Sequence, residues 1–353
     1  MRTIDADAHV IETTATWQYM VDGERKYKPI PVSAEAGDRI RGTNRDSTEF
    51  WAVDGILRPR EQNIGTDVSR ESREMSDIAG RIAHMDELSI DVQVLYPSLF
   101  LRPLTRKPEV ELALIRSYNR WLTDIWKRGK GRLRWVALPP VKSLADPGLA
   151  RDELAIAKAN GACGIFLCGF SCDRMLPDPY FFPLYEIAQD LDMPICIHVG
   201  MDAMDIFEFF DKSYSDGLAR FKFPVISAFH SLMQQEIPLR FPKVRWAFVE
   251  AASGWIPYVL KQMEYRFTKR YGKPFPTAPL ADNNMFVTCQ ANEDLSYIID
   301  VAGEDNLMVG TDYGHNDNST QIEAIRSLKD GVALSGAVAN KILGANAARL
   351  YGI

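Results

Sequence analysis

Short apolar runs alternate with helix-like segments along this chain of 353 residues, and that alternation restricts the possible folds more than any other feature. Runs of strand length cover residues 4–12, 90–97, 133–140, 163–168, 194–199, 244–250, 285–289 and 307–312. Segments with helical spacing of apolar residues separate most of them, at 81–88, 108–127, 147–160, 182–191 and 225–236. Eight alternating strand and helix units are typical of a closed parallel barrel. We therefore predict an α/β fold, a (β/α)8 TIM barrel, built as one domain by residues 1–353.

The first strand is followed by a long polar stretch, residues 13–77, which contains proline and glycine but little sustained periodicity. Irregular stretches of this length are usually functional lids or disordered segments. The aromatic residues of the stretch favour order, and they are Trp17, Tyr19, Tyr27, Phe50 and Trp51. We predict that residues 13–77 form a lid insertion after strand one.

The composition argues against several partners and locations. A net charge of -6 without a basic stripe argues against nucleic acid as a partner. The sequence has no apolar run of about 18 residues and no signal-peptide pattern, so we expect a cytoplasmic protein without a membrane partner. The five cysteines form no CxxC pair, which favours reduced thiols. No nucleotide-binding fingerprint is present, and we expect no organic cofactor.

Charged or imidazole side chains stand at the ends of several predicted strands. They are Asp7 and His9 after the first, His198 after the fifth, Glu250 after a later one and Asp312 after the last. All are metal-ligand types, and catalytic groups of such barrels come from the C-terminal ends of strands. A single residue of this kind is more often a helix cap or a turn residue, and residues 4–12 alone would suit a solvated polar strand. Five of them at one rim favour a metal site, with Asp5 in support.

Several motifs resemble the amidohydrolase superfamily. They are DADAH at 5–9, IH at 197–198, RFPKVR at 240–245, GTDYGH at 310–315 and KILGANAARLY at 341–351. The chain is most similar to the amidohydrolase-related branch that includes aminocarboxymuconate semialdehyde decarboxylase, and the resemblance spans nearly the whole length. It implies a metal-dependent barrel enzyme, with residues 244–250 as strand six and 285–289 as strand seven.

The chain departs from that branch at two positions. Decarboxylases of the branch usually carry histidine or glutamate where Asp7 stands, and a histidine acid/base where Glu250 stands. A glutamate can act as a general base, and its carboxylate can also bind or bridge metal ions. The mixed oxygen and nitrogen ligands suit iron, manganese or zinc, as one ion or two. In this the chain resembles the dinuclear hydroxylases of the superfamily, such as 2-aminoisobutyrate hydroxylase and the platensimycin-pathway hydroxylase.

Two functions follow from the resemblance, and both stay open at this point. The first is an oxygen-activating monooxygenase with an Fe/Fe or Fe/Mn pair, hydroxylating a small carboxylate-bearing substrate with electrons from a ferredoxin and a reductase. Its metal ligands would be Asp7, His9, His198, Glu250 and Asp312. The alternative is a mononuclear zinc or manganese hydrolase or non-oxidative decarboxylase of a small carboxylic acid. In that enzyme Glu250 or His230 moves the proton, with Asp312 as another candidate base.

Two further histidines are candidates for the site. His230 is a possible second-metal ligand, but it lies in the predicted helix 225–236, where a packed histidine is an equal alternative. His315 follows Asp312 by three residues, and it is either a further ligand or a loop residue that contacts substrate.

The sequence says less about the substrate and the oligomeric state. Tyr96 ends strand two, and Arg102 and Arg106 follow it, so together they could accept a substrate carboxylate. Arginines in such positions are more often structural. The resemblance implies an oligomer, either of identical chains or with a related barrel subunit.

Overall fold

A computed structural model describes residues 2–33, 49–60, 64, 67–212, 217–330 and 334–353. Its centre is one sheet of eight parallel strands that curls into a barrel. The strands are β1 (Ile4–His9), β2 (Val92–Tyr96), β3 (Leu133–Ala137), β4 (Ala162–Cys168), β5 (Ile195–His198), β6 (Trp246–Val249), β7 (Met285–Cys289) and β8 (Leu307–Val309). Neighbours in the sheet follow the order of the chain from β1 to β8. The predicted TIM barrel is confirmed.

The barrel closes where the turn after β8 meets β1. The amide of His9 donates to the carbonyl of Tyr313 over 2.8 Å, and the amide of Asp312 donates to the carbonyl of Asp7 over 2.9 Å. Ala8 and Tyr313 form a parallel bridge beside these bonds. Residues from the two ends of the sequence therefore share one section of the barrel wall.

Every residue of the eight strands is buried except Arg134, which is partly exposed. Helices cover the outside of such a barrel and side chains fill its inside, so its strands are continuous apolar runs instead of alternating patterns. For this reason the sequence predicts their number and position. Several observed strands end earlier than predicted, because residues 97, 139–140, 250 and 310–312 belong to the loops that follow.

Helices occupy the connections between the strands. The main ones are α1 (Ile78–Glu87), α2 (Pro108–Arg128), α3 (Pro147–Ala159), α4 (Phe182–Asp190), α5 (Phe223–Gln234), α6 (Ile256–Tyr271), α7 (Leu295–Ala302) and α8 (Ala324–Asp330). The carboxylate of Asp77 accepts from the amide of Gly80 over 2.8 Å, so α1 begins before the predicted residue 81. Across the described ranges, no helix combines the length and the apolar character that a membrane span requires.

Shorter elements complete the chain. Single helical turns lie at Arg70–Arg73, Ile237–Arg240, Pro279–Asp282, Gly336–Asn340 and Asn346–Tyr351, and a longer helix at Met204–Lys212. 3-10 turns lie at Thr16–Tyr19, Arg25–Tyr27, Leu99–Leu101, Val141–Ser143 and Pro179–Phe181, and π-helical turns at Leu218–Lys222 and Lys341–Ala345. Phe170–Ser171 and Arg174–Met175 form a small antiparallel pair.

The described part of the predicted lid is ordered. Strands Ile30–Ser33, Glu49–Val53 and Ile56–Pro59 form an antiparallel sheet. Trp17 and Trp51, whose ring centroids are 6.0 Å apart, pack in a satellite core with residues of α2. Residues 34–48, 61–63 and 65–66 of the segment lie outside the described residues. Aromatic packing therefore orders the segment as predicted, whereas its action as a lid stays a prediction.

A chain of buried polar side chains ties α1 to the first and last strands. The guanidinium of Arg81 donates to the Gln93 side chain over 2.7 Å and to the carbonyl of His9 over 3.0 Å. Gln93 donates in turn to Asp5 over 3.0 Å, and Asp5 also accepts from the hydroxyl of Thr311 over 2.6 Å. Burial raises the pKa of Asp5 to about 6. Asp5 thus braces the barrel closure, as its predicted supporting role requires.

Replacing the buried guanidinium tests this network. We expect Arg81→Met to lower the free energy of unfolding by about 3–5 kcal/mol, because it leaves buried acceptors without their donor. Urea unfolding followed by circular dichroism measures the change. The matched control is Arg151→Met, which removes a surface ion pair with Asp190 and should cost less than about 1 kcal/mol. Equal losses in the two variants would contradict a structural role for Arg81.

Candidate metal centre

Five acidic and imidazole side chains meet at the C-terminal end of the barrel, and all are buried. They are Asp7 and His9 on β1, His198 on β5, Glu250 directly after β6 and Asp312 after β8. Nε2 of His9 lies 3.5 Å from Asp7 Oδ1, 3.6 Å from Glu250 Oε2 and 3.5 Å from Asp312 Oδ1. Nε2 of His198 lies 3.2 Å from Asp7 Oδ1 and 3.3 Å from Glu250 Oε2. The structure brings the five predicted ligands into one buried cluster.

Backbone carbonyls orient both imidazoles. Nδ1 of His9 lies 3.0 Å from the carbonyl of Pro97, and Nδ1 of His198 lies 3.1 Å from the carbonyl of Val199. A carbonyl only accepts, so each Nδ1 carries a proton, and in the neutral imidazole Nε2 then presents a lone pair to the cluster. This is the arrangement in which metal-bound histidines are held in proteins.

The cluster has the electrostatics of a cation site. Among the described residues, His9 Nε2 and Glu250 Oε2 are buried without a hydrogen-bond partner, which is unusual for buried polar atoms. Burial, and then the neighbouring Asp312 and Asp7, raises the pKa of Glu250 well above its usual range. A divalent cation would satisfy the unpaired atoms and offset the repulsion among the carboxylates. Carboxylate and imidazole ligands without thiolate suit manganese, iron or zinc, so the residues fit a divalent metal.

A second set of ligand atoms overlaps the first. Asp7, His9, His198 and Glu250 form one group, and His9, Glu250, Asp312 and His315 form the other. Nδ1 of His315 donates to Asp312 Oδ1 over 2.8 Å, and the centroid of its ring lies 4.0 Å from that of His9. The two groups share His9 and Glu250, so a carboxylate stands where two ion positions would meet.

Backbone strain accompanies two of the candidate ligands. Glu250 and Asp312 have φ angles of +66° and +54°, a region that non-glycine residues seldom adopt. The Glu250 amide is held by the hydroxyl of Thr288 over 2.8 Å. At Gly310 an added Cβ would lie 2.5 Å from the Cβ of Asp7, so only glycine leaves room for that ligand. The loops are shaped to place carboxylates at the cluster.

A cavity of about 470 Å³ opens above the cluster. Glu250 and His315 line it, together with Trp51, Arg102, Lys222 and Asp317. Its size is that of a small-molecule site, and it has charged residues of both signs in its wall. The predicted contacts of Arg102 and His315 with substrate are compatible with this position.

Two predicted site residues lie elsewhere, and we correct them. His230 is half-buried on α5, where it lines a surface depression with Phe182 and Arg240 and does not join the cluster. This position agrees with the alternative of a packed helix histidine. Tyr96 is fully buried, and its hydroxyl lies 2.7 Å from that of Tyr351. Its ring packs 4.8 Å from the His198 ring, so it supports a ligand instead of meeting substrate.

Arg106 is also committed to other partners. It pairs with Asp173, in the segment after β4, and with Asp205, at the start of the helix Met204–Lys212. Its charge is therefore used within the protein, in agreement with the structural alternative for arginines after strand two.

Glu12 lines the cavity, and its residue type and position in the sequence predict no role for it. Its carboxylate accepts from the amides of Ser98 and Leu99 over 3.2 and 2.9 Å. The hydroxyl of Ser98 lies 2.8 Å from Nε2 of His315. Burial raises the pKa of Glu12 to about 7. Its place directly after the predicted first strand was the one available signal, and the partner loop lies 86 residues away in sequence.

Metal binding should depend on the clustered histidines and not on His230. Loss of an outer partner of a ligand typically costs about 10–100-fold in metal affinity, and loss of a ligand should cost more. We expect His9→Ala and His198→Ala to lose bound Mn²⁺ on dialysis, whereas the matched control His230→Ala retains it. Elemental analysis of the dialysed proteins measures this. Retention by all three variants would show that the metal binds elsewhere or not at all.

Glu12 should make stability depend on pH in the metal-free protein. The unfolded chain releases this proton near pH 4.5, whereas the folded protein holds it to about pH 7. Wild type should therefore lose stability relative to Glu12→Gln as the pH rises through this window, by up to about 3 kcal/mol. Urea unfolding at a series of pH values measures the difference. The control Glu323→Gln removes an exposed carboxyl, and an equal slope for both variants would contradict the assignment.

Comparison with known proteins agrees with this description. The chain matches the family model described as Amidohydrolase over residues 4–353. It is similar to an amidohydrolase from Mycobacterium avium subsp. paratuberculosis, with a TM-score of 0.78, 18% identity, and coverage of 100% of this chain and 98% of that one.

Two decarboxylase structures are also similar. For 5-carboxyvanillate decarboxylase from Sphingomonas paucimobilis the TM-score is 0.70 at 17% identity, covering 100% of this chain and 99% of that one. For 5-carboxyvanillate decarboxylase from Novosphingobium aromaticivorans, complexed with manganese and a nitrobenzoic acid, it is 0.62 at 22%, covering 77% and 79%. At such identities the likeness establishes the fold and not the reaction. The family model covers nearly the whole chain and confirms the predicted resemblance: the chain belongs to the amidohydrolase family.

Proposed function

We propose that this protein is a divalent-metal-dependent enzyme that removes CO2, without oxidation, from a small carboxylic acid. The observation that carries the proposal is the buried ligand cluster, with unpaired His9 and Glu250 atoms, at the floor of a cavity of substrate size. The decarboxylases among the similar structures support it, and one of them holds manganese with an aromatic acid. This is the alternative of the two functions that the sequence left open.

Asp7, His9, His198 and Glu250 would hold the metal ion. When bound, the ion supplies Lewis-acid stabilisation of negative charge on substrate oxygens. The carbonyls of Pro97 and Val199 keep the imidazoles in the ligand tautomer. Manganese and zinc both suit these ligands, and iron is the choice of the competing function.

Proton delivery falls to the residues beside the ligands. Loss of CO2 breaks a carbon–carbon bond and leaves the electron pair on the substrate carbon, which must then accept a proton. His315 lines the cavity and lies 2.8 Å from Asp312 Oδ1. The other Asp312 oxygen accepts from the hydroxyl of Thr320 over 2.8 Å. The Asp312–His315 pair is therefore placed to hold and transfer that proton, and Glu250 is the neighbouring carboxyl that could share the role.

The oxygen-activating hydroxylase is the second candidate. It is favoured by the overlapping ligand groups, in which Glu250 stands between two possible ion positions. It would need about two ions per chain and electrons from a ferredoxin and a reductase. The related barrel subunit, the ferredoxin and the oligomeric state remain predictions.

Product analysis with defined metal content tests the proposal. Protein loaded with Mn²⁺ is incubated with a panel of aromatic and unsaturated carboxylic acids, and CO2 release, oxygen uptake and bound metal are measured. We expect CO2 release without oxygen uptake at about one ion per chain, falling by about 10²–10⁴-fold in Asp312→Asn. The matched control His230→Ala should keep full activity. Iron-dependent oxygen uptake with about two ions per chain would instead establish the hydroxylase.

A further inference from the structure

Basic side chains are grouped in one section of the cavity wall, although the protein as a whole carries a negative net charge. The chain carries a net charge of -6, yet Arg102, Arg220 and Lys222 line the cavity together. They stand on the segments after β2 and β5, whereas the lining carboxylates stand on the segments after β1, β6 and β8. A fourth lining cation, Arg60, stands after β1, but it forms an ion pair with Glu49 over 3.2 Å. The cavity is therefore electrically divided, with the ligand cluster in its acidic section.

A π-helical turn supplies most of the basic section. In Leu218–Lys222, every residue except Ala219 lines the cavity. π-helical turns widen a helix locally and recur at functional sites. The turn comes after β5, whose last residue is the candidate ligand His198. The basic turn therefore lies in the connection between β5 and β6, which begins directly after the candidate ligand His198.

Backbone bonds hold the two basic loops together. The amide of Gly200 donates to the carbonyl of Phe221 over 3.4 Å, and the amide of Met201 donates to the carbonyl of Leu101 over 3.0 Å. Arg102 and Arg220 both lie over the ring of Phe221, with Cζ at 5.8 and 4.9 Å from its centroid. Both guanidinium groups therefore border the same ring of the cavity wall.

Lys222 is the third cation of this section of the cavity wall. It is half-buried in the cavity wall. Within the part of the chain that the structure describes, no carboxylate forms an ion pair with it. Two of the lining acids, by contrast, are engaged locally: Glu12 accepts from two backbone amides, and Asp317 accepts from the amide of Ser319 over 2.7 Å. Lys222 is therefore directed at the cavity and not at an internal partner.

We propose that Lys222, Arg102 and Arg220 form an anion subsite for a second carboxylate of the substrate, separate from the group bound at the ligand cluster. The substrate is then a dicarboxylate whose two acidic groups lie at different ends of the cavity. The inference rests on the proposed function for its reaction and extends it to a substrate class. Arg102 keeps its predicted role towards a carboxylate, now shared with two residues that the sequence did not single out.

Binding of paired probes tests the subsite independently of turnover. Benzoate and isophthalate differ by one carboxylate, and isothermal titration calorimetry gives their Kd values for the Mn²⁺-loaded protein and for the metal-free protein. We expect isophthalate to bind at least about tenfold more tightly than benzoate, as a charged hydrogen bond provides. This preference should weaken as salt is raised, since the contact is ionic.

Variants locate the effect. Lys222→Met and Arg102→Met should each reduce the isophthalate preference by about tenfold while benzoate changes little, and Lys222→Arg should preserve it. The matched control is Arg240→Met, because Arg240 also stacks on a phenylalanine, with Cζ 4.1 Å from the Phe182 ring, but lies at the depression that contains His230. Circular dichroism melts of all variants exclude unfolding as the cause.

The outcomes separate the inference from the proposed function. A preference for isophthalate that Lys222→Met abolishes supports the subsite even where no acid releases CO2, and in that case only the decarboxylase assignment fails. Equal affinity for the two probes, no binding of isophthalate, or an unchanged preference in Lys222→Met and Arg102→Met overturns the subsite. Equal CO2 release from monocarboxylates and dicarboxylates would likewise overturn it while leaving the reaction intact.

Discussion

Closure of the barrel between its first and last strands is the constraint on which the candidate site depends. The backbone of Asp7 and His9 is hydrogen-bonded to that of Asp312 and Tyr313, so candidate ligands separated by some 300 residues share one wall. The Arg81, Gln93 and Asp5 chain holds the same section from outside. Because ligand positions must be accurate to a fraction of an ångström, a rigid closure is what makes a metal centre possible here.

Electrostatics then determine what the closed barrel can hold. Asp7, Glu250 and Asp312 are buried within reach of one another, and three ionised carboxylates without a cation would repel strongly in such surroundings. The two imidazoles are fixed as lone-pair donors by backbone carbonyls. The cluster thus has the composition of a metal-ligand set. It reaches the cavity through Glu250 and through His315, which lies 2.8 Å from Asp312.

Much of the fold was predictable because buried strands are visible in the sequence as short apolar runs. Strands enclosed on both faces are apolar throughout, and ligand residues interrupt those runs at their ends, so β1 to β8 and five site residues appear in the sequence. His230 and Tyr96 were wrong as site residues because residue type and nearness to a strand end do not specify the direction of a side chain. Glu12, Lys222 and Arg220 were missed because their significance depends on loops distant in sequence.

The sequence by itself determined the fold class, the family and the chemical types of the ligands, since these follow from periodicity and from residues at the ends of strands. The tertiary structure alone decided which side chains meet. In the structure His230 lies at a surface depression away from the cluster, and the hydroxyl of Tyr96 lies beside that of Tyr351. The basic π-helical turn lines the same cavity as Arg102. The physical reason is that hydrophobic pattern is a local property of the chain, whereas convergence of charges is a property of how distant segments pack.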